Sequence, residues 1–142
     1  MNEHKALHLH EGEGKESVRA EISRQMVRLY KDLFGRGPTK VRTEFAGPDT
    51  VICTLRESLT PAEQAMAKLG EHQRLRDTRT FFQHASEDDF CQSVEDILDR
   101  RVEAFVSGMD TKRDVAAEIF YLEPRQVVAA APHTDGVTPA AG

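Results

Sequence analysis

The stretch from Gly35 to Gln64, GRGPTKVRTEFAGPDTVICTLRESLTPAEQ, constrains the fold more than any other part of the chain. It opens with Gly35 and Gly37, which suit the left-handed stop of a helix, and with Pro38, which cannot continue one. Two alternating runs follow. Val41, Thr43 and Phe45 fall on one side of the first run, with Lys40, Arg42 and Glu44 on the other. Val51, Cys53 and Leu55 form the inward row of the second. Side chains alternate across a strand, so the pattern predicts strands at 39–46 and 50–57. Gly47-Pro48-Asp49-Thr50 between them has turn chemistry, because Pro fixes φ and Asp bonds its own backbone. Thr60-Pro61-Ala62-Glu63 then carries the reciprocal cap of a helix start, with Pro where its missing N–H costs nothing. A helix stop, a hairpin and a helix start in that order define an α+β domain.

The flanking segments complete the pattern. From Glu16 to Phe34 the residues Val18, Ile22, Met26, Leu29, Tyr30, Leu33 and Phe34 recur at helical spacing and predict one long amphipathic helix. The GRGP that ends it resembles a phosphate loop only superficially. It follows a helix, so it meets the negative end of the dipole, which repels anions. Leu75, Phe81 and Phe82 mark a further helical segment beyond Gly70. Ser86-Glu87-Asp88-Asp89 places acids at another helix start, and Phe90, Val94, Ile97, Leu98, Val102, Phe105 and Val106 extend its apolar face as far as Gly108. Val115 to Leu122 alternates as a third strand. The expected order is α-β-β-α-α-β, with a three-stranded antiparallel sheet in the order 2-1-3. Ile52, Phe120 and Leu122 are then left on its second face.

Composition sets the outer bounds. The 142 residues suit one domain, 15–125, between polar tails at 1–14 and 126–142 that hold too little apolar surface to offset ordering entropy. No apolar run reaches the ~18 residues of a membrane span, and the N-terminus has no signal-peptide pattern, so a cytoplasmic protein is expected. Two cysteines, Cys53 and Cys91, make no metal or disulfide framework and read as reduced thiols. The net charge of −5 is divided, about +4 over 15–79 and −6 over 80–125. The overall acidity argues against a nucleic-acid binder, whereas the division allows pairing with another copy or packing of the two halves against each other.

The helix, then G-R-G-P-T-K-V, the V-I-C-T-L strand, L-T-P-A-E, L-R-D-T-R-T-F-F and the final E-I-F-Y-L-E strand together resemble the MpsC-like family, over roughly residues 15–125. That family takes its name from a component of a Na⁺-translocating, membrane-potential-generating system. The resemblance implies a link to ion or bicarbonate transport. Since nothing in the chain is expected to conduct an ion, the implied role is that of an accessory or regulatory module, and the implied partner is a membrane transport complex.

Few residues have the pattern of a chemical site. Lys68, His72, Arg74, Arg76 and Arg79 make a basic segment, and Arg76 and Arg79, three apart, share a helical face. Guanidiniums there could grip an oxyanion through paired donors, or could simply pair with acids such as Glu71 and Asp77. The candidate anion-binding or partner-binding residues are therefore Arg74, Arg76 and Arg79, and Arg79→Ala is expected to weaken binding with little effect on thermal stability. His72 and His84 lack the spacing of a metal site, and the histidines of the N-terminal tail read as solvated. Glu95, Asp96, Asp99 and Glu103 read as a solvated acidic stripe. No catalytic residues, metal or cofactor are expected. The readings carried forward are a non-catalytic accessory module that self-associates and, as the alternative, a small-anion sensor.

Overall fold

A computed structural model describes residues 11–125. Helix α1, Glu11–Phe34, turns Ile22, Met26 and Tyr30 fully inward and flanks them with Val18, Leu29, Leu33 and Phe34. Gly35, at φ 81°, ends it and returns its N–H to Lys31. Gly37 is needed for a different reason. A Cβ there would stand 3.2 Å from a Val27 methyl and 3.3 Å from the Val27 carbonyl, so the chain turns tightly against α1. Strands β1, Lys40–Phe45, and β2, Thr50–Arg56, pair antiparallel with Thr43 opposite Cys53, as the alternation predicts.

Helix α2, Pro61–Lys68, carries the complete reciprocal cap. The Glu63 N–H donates to Thr60 Oγ1 at 3.2 Å, and the Thr60 N–H donates to Glu63 Oε1 at 2.8 Å. After Gly70, at φ 82°, helix α3 runs from His72 to Ala85 and buries Leu75, Arg79 and Gln83, which a four-residue repeat places on one face. Helix α4, Glu87–Leu98, has the expected acids in its first turn, although the Ser86 side chain makes no capping bond.

Beyond Leu98 the chain departs from expectation. Asp99 takes the left-handed conformation, φ 55°, and closes α4. Residues Val102–Asp110 are strand β3 and not the continuation of a helix. A bulge between Val102 and Ala104 explains the misreading. It shifts the alternation, so that Val102 and Phe105, three residues apart, both face the core and mimic helical spacing. The acidic stripe is divided as a result, with Glu103 on a strand and Glu95 accepting from the Val102 N–H.

Strand β4, Val115–Leu122, follows after a short turn, in which Asp110 accepts from the N–H groups of Lys112 and Arg113. The sheet therefore has four strands in the order β1-β2-β4-β3, all neighbours antiparallel. The three-stranded 2-1-3 arrangement is overturned, because the β3–β4 hairpin inserts β4 beside β2 and leaves β1 at an edge. The facing of β4 is also reversed. Ala116, Glu118, Phe120 and Leu122 point inward, and Ile119 and Tyr121 point outward.

All four inward rows meet the helices on one side. Val51, Cys53 and Leu55 of β2 and Phe120 of β4 pack against Ile22, Met26, Tyr30, Phe90 and Val94. Phe105 bridges Phe90 and Phe120, with ring centroids 5.6 and 5.2 Å away. Arg100 fastens the rim, donating to Pro48 O, Asp49 Oδ1 and Glu123 O and so tying the first hairpin turn to the end of β4. The tails expected at the termini fall largely outside the described residues.

Candidate functional site

Charge and hydrogen-bonding capacity converge at the base of α3. Arg79 is fully buried, and it is held there by geometry that suits a planar guanidinium. Its Nε donates to Glu63 Oε2 at 2.8 Å and its Nη2 donates to Glu63 Oε1 at 2.7 Å. The same Nη2 donates to the Ser58 carbonyl at 2.8 Å, and the guanidinium carbon lies 3.6 Å from the centre of the Phe34 ring. A paired-donor edge facing a carboxylate and an aromatic face beneath the cation are interactions that Lys could not reproduce. Glu63 thus has two duties, as cap of α2 and as counter-ion of Arg79. Burial pushes its carboxyl up, but the bonds from Arg79 and the Thr60 N–H, together with the attraction of the guanidinium, outweigh this and hold it below its ordinary value.

The other members of the basic segment do not join Arg79. Arg74 is exposed and lies 3.8 Å from Glu71, and Arg76 donates to the Gln73 side chain. His72 shares a 2.7 Å hydrogen bond with Thr111, and His84 bonds the Thr80 carbonyl and meets the edge of Phe105. The edge of Arg79 that would grip an oxyanion is occupied by Glu63.

One turn further along α3 is a group that the sequence reading passed over. Tyr30 Oη donates to Glu118 Oε2 at 2.5 Å, and Gln83 Nε2 reaches both Tyr30 Oη and Glu118 Oε2 at 2.9 Å. All three residues are fully buried. Glu118 lies in a polar row that crosses the inner face of the sheet, since Thr43, Cys53, Glu118 and Ser107 are directly opposite one another on β1, β2, β4 and β3. Ser23 of α1 closes the row at one end, 2.8 Å from Thr43 Oγ1.

Ser58 Oγ, Arg79 Nη1, Gln83 Oε1 and Glu118 Oε1 are buried without a hydrogen-bond partner, and such atoms cost stability in a core. Burial pushes the Glu118 carboxyl up to about 7, against the polar groups that face it, Tyr30, Ser107 and Gln83, and the charge of Arg79, which favour the anion. Burial, with help from the Glu118 charge, also raises the Tyr30 phenol well above its ordinary value. The result is a buried polar set of two groups one turn apart on α3, Arg79 with Glu63 and Gln83 with Tyr30 and Glu118. It can hold or release a proton at Glu118, and its members are committed chiefly to one another. The signal that could have pointed to it is Glu118 itself, a lone carboxylate among Ala116, Phe120 and Leu122 on the inward parity of a strand.

Elsewhere, a shallow groove of about 460 Å³ runs between α1 and α4, lined in part by Glu21, Arg28, Asp32, Asp89 and Asp96. Cys53 is buried and Cys91 half-buried, and both are free. Burial pushes their thiols up to about 12 and about 11, so neither is an activated nucleophile. No cluster of three metal-ligating side chains, and no helix long and apolar enough to cross a membrane, occurs among the described residues.

These features define an α+β module with a locked polar core, helices on one side of its sheet and no described helix covering the other. The chain belongs to the MpsC family, described as "Na+-translocating membrane potential-generating system (MpsC)", whose model matches residues 14–124 and so takes in nearly the whole described fold. No curated protein and no solved structure matches the chain.

Proposed function

We propose that the chain is a non-catalytic accessory or regulatory module of a Na⁺-dependent membrane-potential system, acting by contact from the cytoplasmic side. The observation that carries this reading is the family match over 14–124, a span that coincides with one folded unit, so the whole domain is what the family has in common. The structure supports it through the disposition of its groups. The most buried charge pair and the titratable carboxylate are enclosed in the interior, whereas Phe81, Leu69, Val106 and Tyr121 are presented to the outside. Two free cysteines accord with a reducing compartment.

The test is genetic and physical together. Removing the chain from cells that hold the system should lower the Na⁺-dependent membrane potential reported by a potential-sensitive dye. A tagged chain should also retain the Na⁺-translocating component from solubilised membranes. An unchanged potential with no retention of that component would refute the proposal. In the alternative reading, an anion sensor built on Arg74, Arg76 and Arg79, an anion would have to displace Glu63 from Arg79. The accessory reading needs no such exchange.

A further inference from the structure

The face of the sheet that α1, α3 and α4 do not cover has its own order. Ile52, Ile119 and Val106 are directly opposite one another on β2, β4 and β3 and make one apolar row. Tyr121 pairs with Ala104 on one side of it and Ala117 with Gly108 on the other. Val106 and Tyr121 are 48% and 40% exposed and Ile52 and Ile119 between them are half-buried, so the patch is open to solvent chiefly on its β3 side and at Tyr121. Contiguous open apolar surface of this kind marks a contact site.

The charges around the patch say what fits it. The row Lys40, Arg56, Val115 and Asp110 carries two cations at its β1 end and one carboxylate at its β3 end, where Asp110 also accepts from the Lys112 and Arg113 N–H groups. A two-fold axis lying between two stacked sheets, parallel to the strands and passing between β2 and β4, exchanges β1 of one copy with β3 of the other. It keeps every row at its own level. Lys40 then stands over Asp110 of the other copy, twice by symmetry, and Ile52 and Ile119 stack on Ile119 and Ile52. Glu44, the one charge at the end of the apolar row, is already paired with Arg42 at 3.2 Å. Isologous contacts require a self-complementary surface, and here the Lys40–Asp110 pairs and the stacked isoleucines match, while Arg56 stands over Val115 and Glu44 over Val106 at the margins of the patch.

We infer that the outer face of the sheet is a docking surface for a second copy of this chain, in an aligned, two-fold sheet-on-sheet dimer. Four strands spaced at ~4.8 Å, with about seven residues at ~3.3 Å each, give roughly 450 Å² in plan per copy. The total, roughly 900 Å², is close to the ~1,000 Å² of a specific interface before side-chain relief is counted, so association is concentration-dependent. The inference names one partner for the contact module proposed above but does not depend on the membrane system.

Sedimentation of the full chain over a concentration series tests it. The expected result is a mass that rises from 15.9 kDa towards twice that value at micromolar concentration. Ile119→Glu should abolish the rise while the circular dichroism spectrum is retained. Lys40→Glu, at an exposed position, should weaken association about tenfold, as should Asp110→Asn, which preserves the turn-capping oxygen. Monomer at every concentration overturns the inference, as does association indifferent to Ile119→Glu. A monomer whose retention of the Na⁺-translocating component is lost on Ile119→Glu also overturns it, and would assign the face to that component while leaving the accessory role intact.

Discussion

Replacing Arg79 by Ala tests whether the base of α3 is structural. The guanidinium is wholly buried, donates twice to Glu63 and once to Ser58 O, and stacks on Phe34. Removing one partner of a buried ion pair costs about 3–5 kcal/mol, because the other charge is left uncompensated. Two features set the value here. Glu63 retains 16% side-chain exposure and the Thr60 N–H, which soften its loss. The space left beneath Phe34 acts in the opposite direction. An overall cost of about 3 kcal/mol follows, a large share of the ~5–15 kcal/mol available to a domain. At roughly 3–4 °C per kcal/mol for a chain of this size, the thermal midpoint should fall by about 10 °C.

This reverses the expectation from sequence that Arg79→Ala would leave the midpoint nearly unchanged. The assay is urea unfolding followed by circular dichroism, with Glu63→Gln and the double variant completing a cycle. Gln keeps the reciprocal cap but not the charge, so a coupling of at least about 2 kcal/mol isolates the ion pair. A loss below about 1 kcal/mol, or additive variants, would show that the pair contributes no more than an exposed one.

The pH dependence has two opposed parts. Glu63 is held below the ordinary carboxylate range, so its contribution is complete above about pH 4.3 and is lost as pH falls through its lowered value, the window in which Arg79→Ala should lose its effect. Glu118 is raised to about 7. Its folded form binds a proton that the unfolded form has released, so stability should decline from about pH 4.5 to about pH 7, by on the order of 3 kcal/mol, and then level off. Glu118→Gln should flatten that slope and be more stable than the parent at pH 8 in urea titrations. An unchanged slope would show that Glu118 is not the titrating group. Thr60→Ala should cost about 1 kcal/mol through the cap of α2, read from the shift in urea midpoint, and a neutral result would mean that the cap contributes nothing in context.

The hairpin of β1 and β2, the cap at Thr60 and the stripe of α1 were legible in the sequence, because each is specified by neighbours within a few residues. Glycines with positive φ, period-two alternation and a Thr-x-x-Glu box are local signals. The same holds for the family resemblance, which rests on the ordered set of these segments. What the sequence could not supply was settled by partners distant along the chain. The bulge at Val102–Ala104 has meaning only opposite β4, where it restores Phe105 to the core. Whether Glu118 faces in or out depends on Tyr30 and Gln83, which are 88 and 35 residues away and satisfy one of its oxygens. Arg79 stood out in the sequence as an anion-binding candidate, but its actual partner, Glu63, was brought to it only by α2. Local backbone preference set the elements along most of the chain; only tertiary packing decided which side of β4 was inside, because burying a carboxylate or a guanidinium requires partners that no local pattern contains.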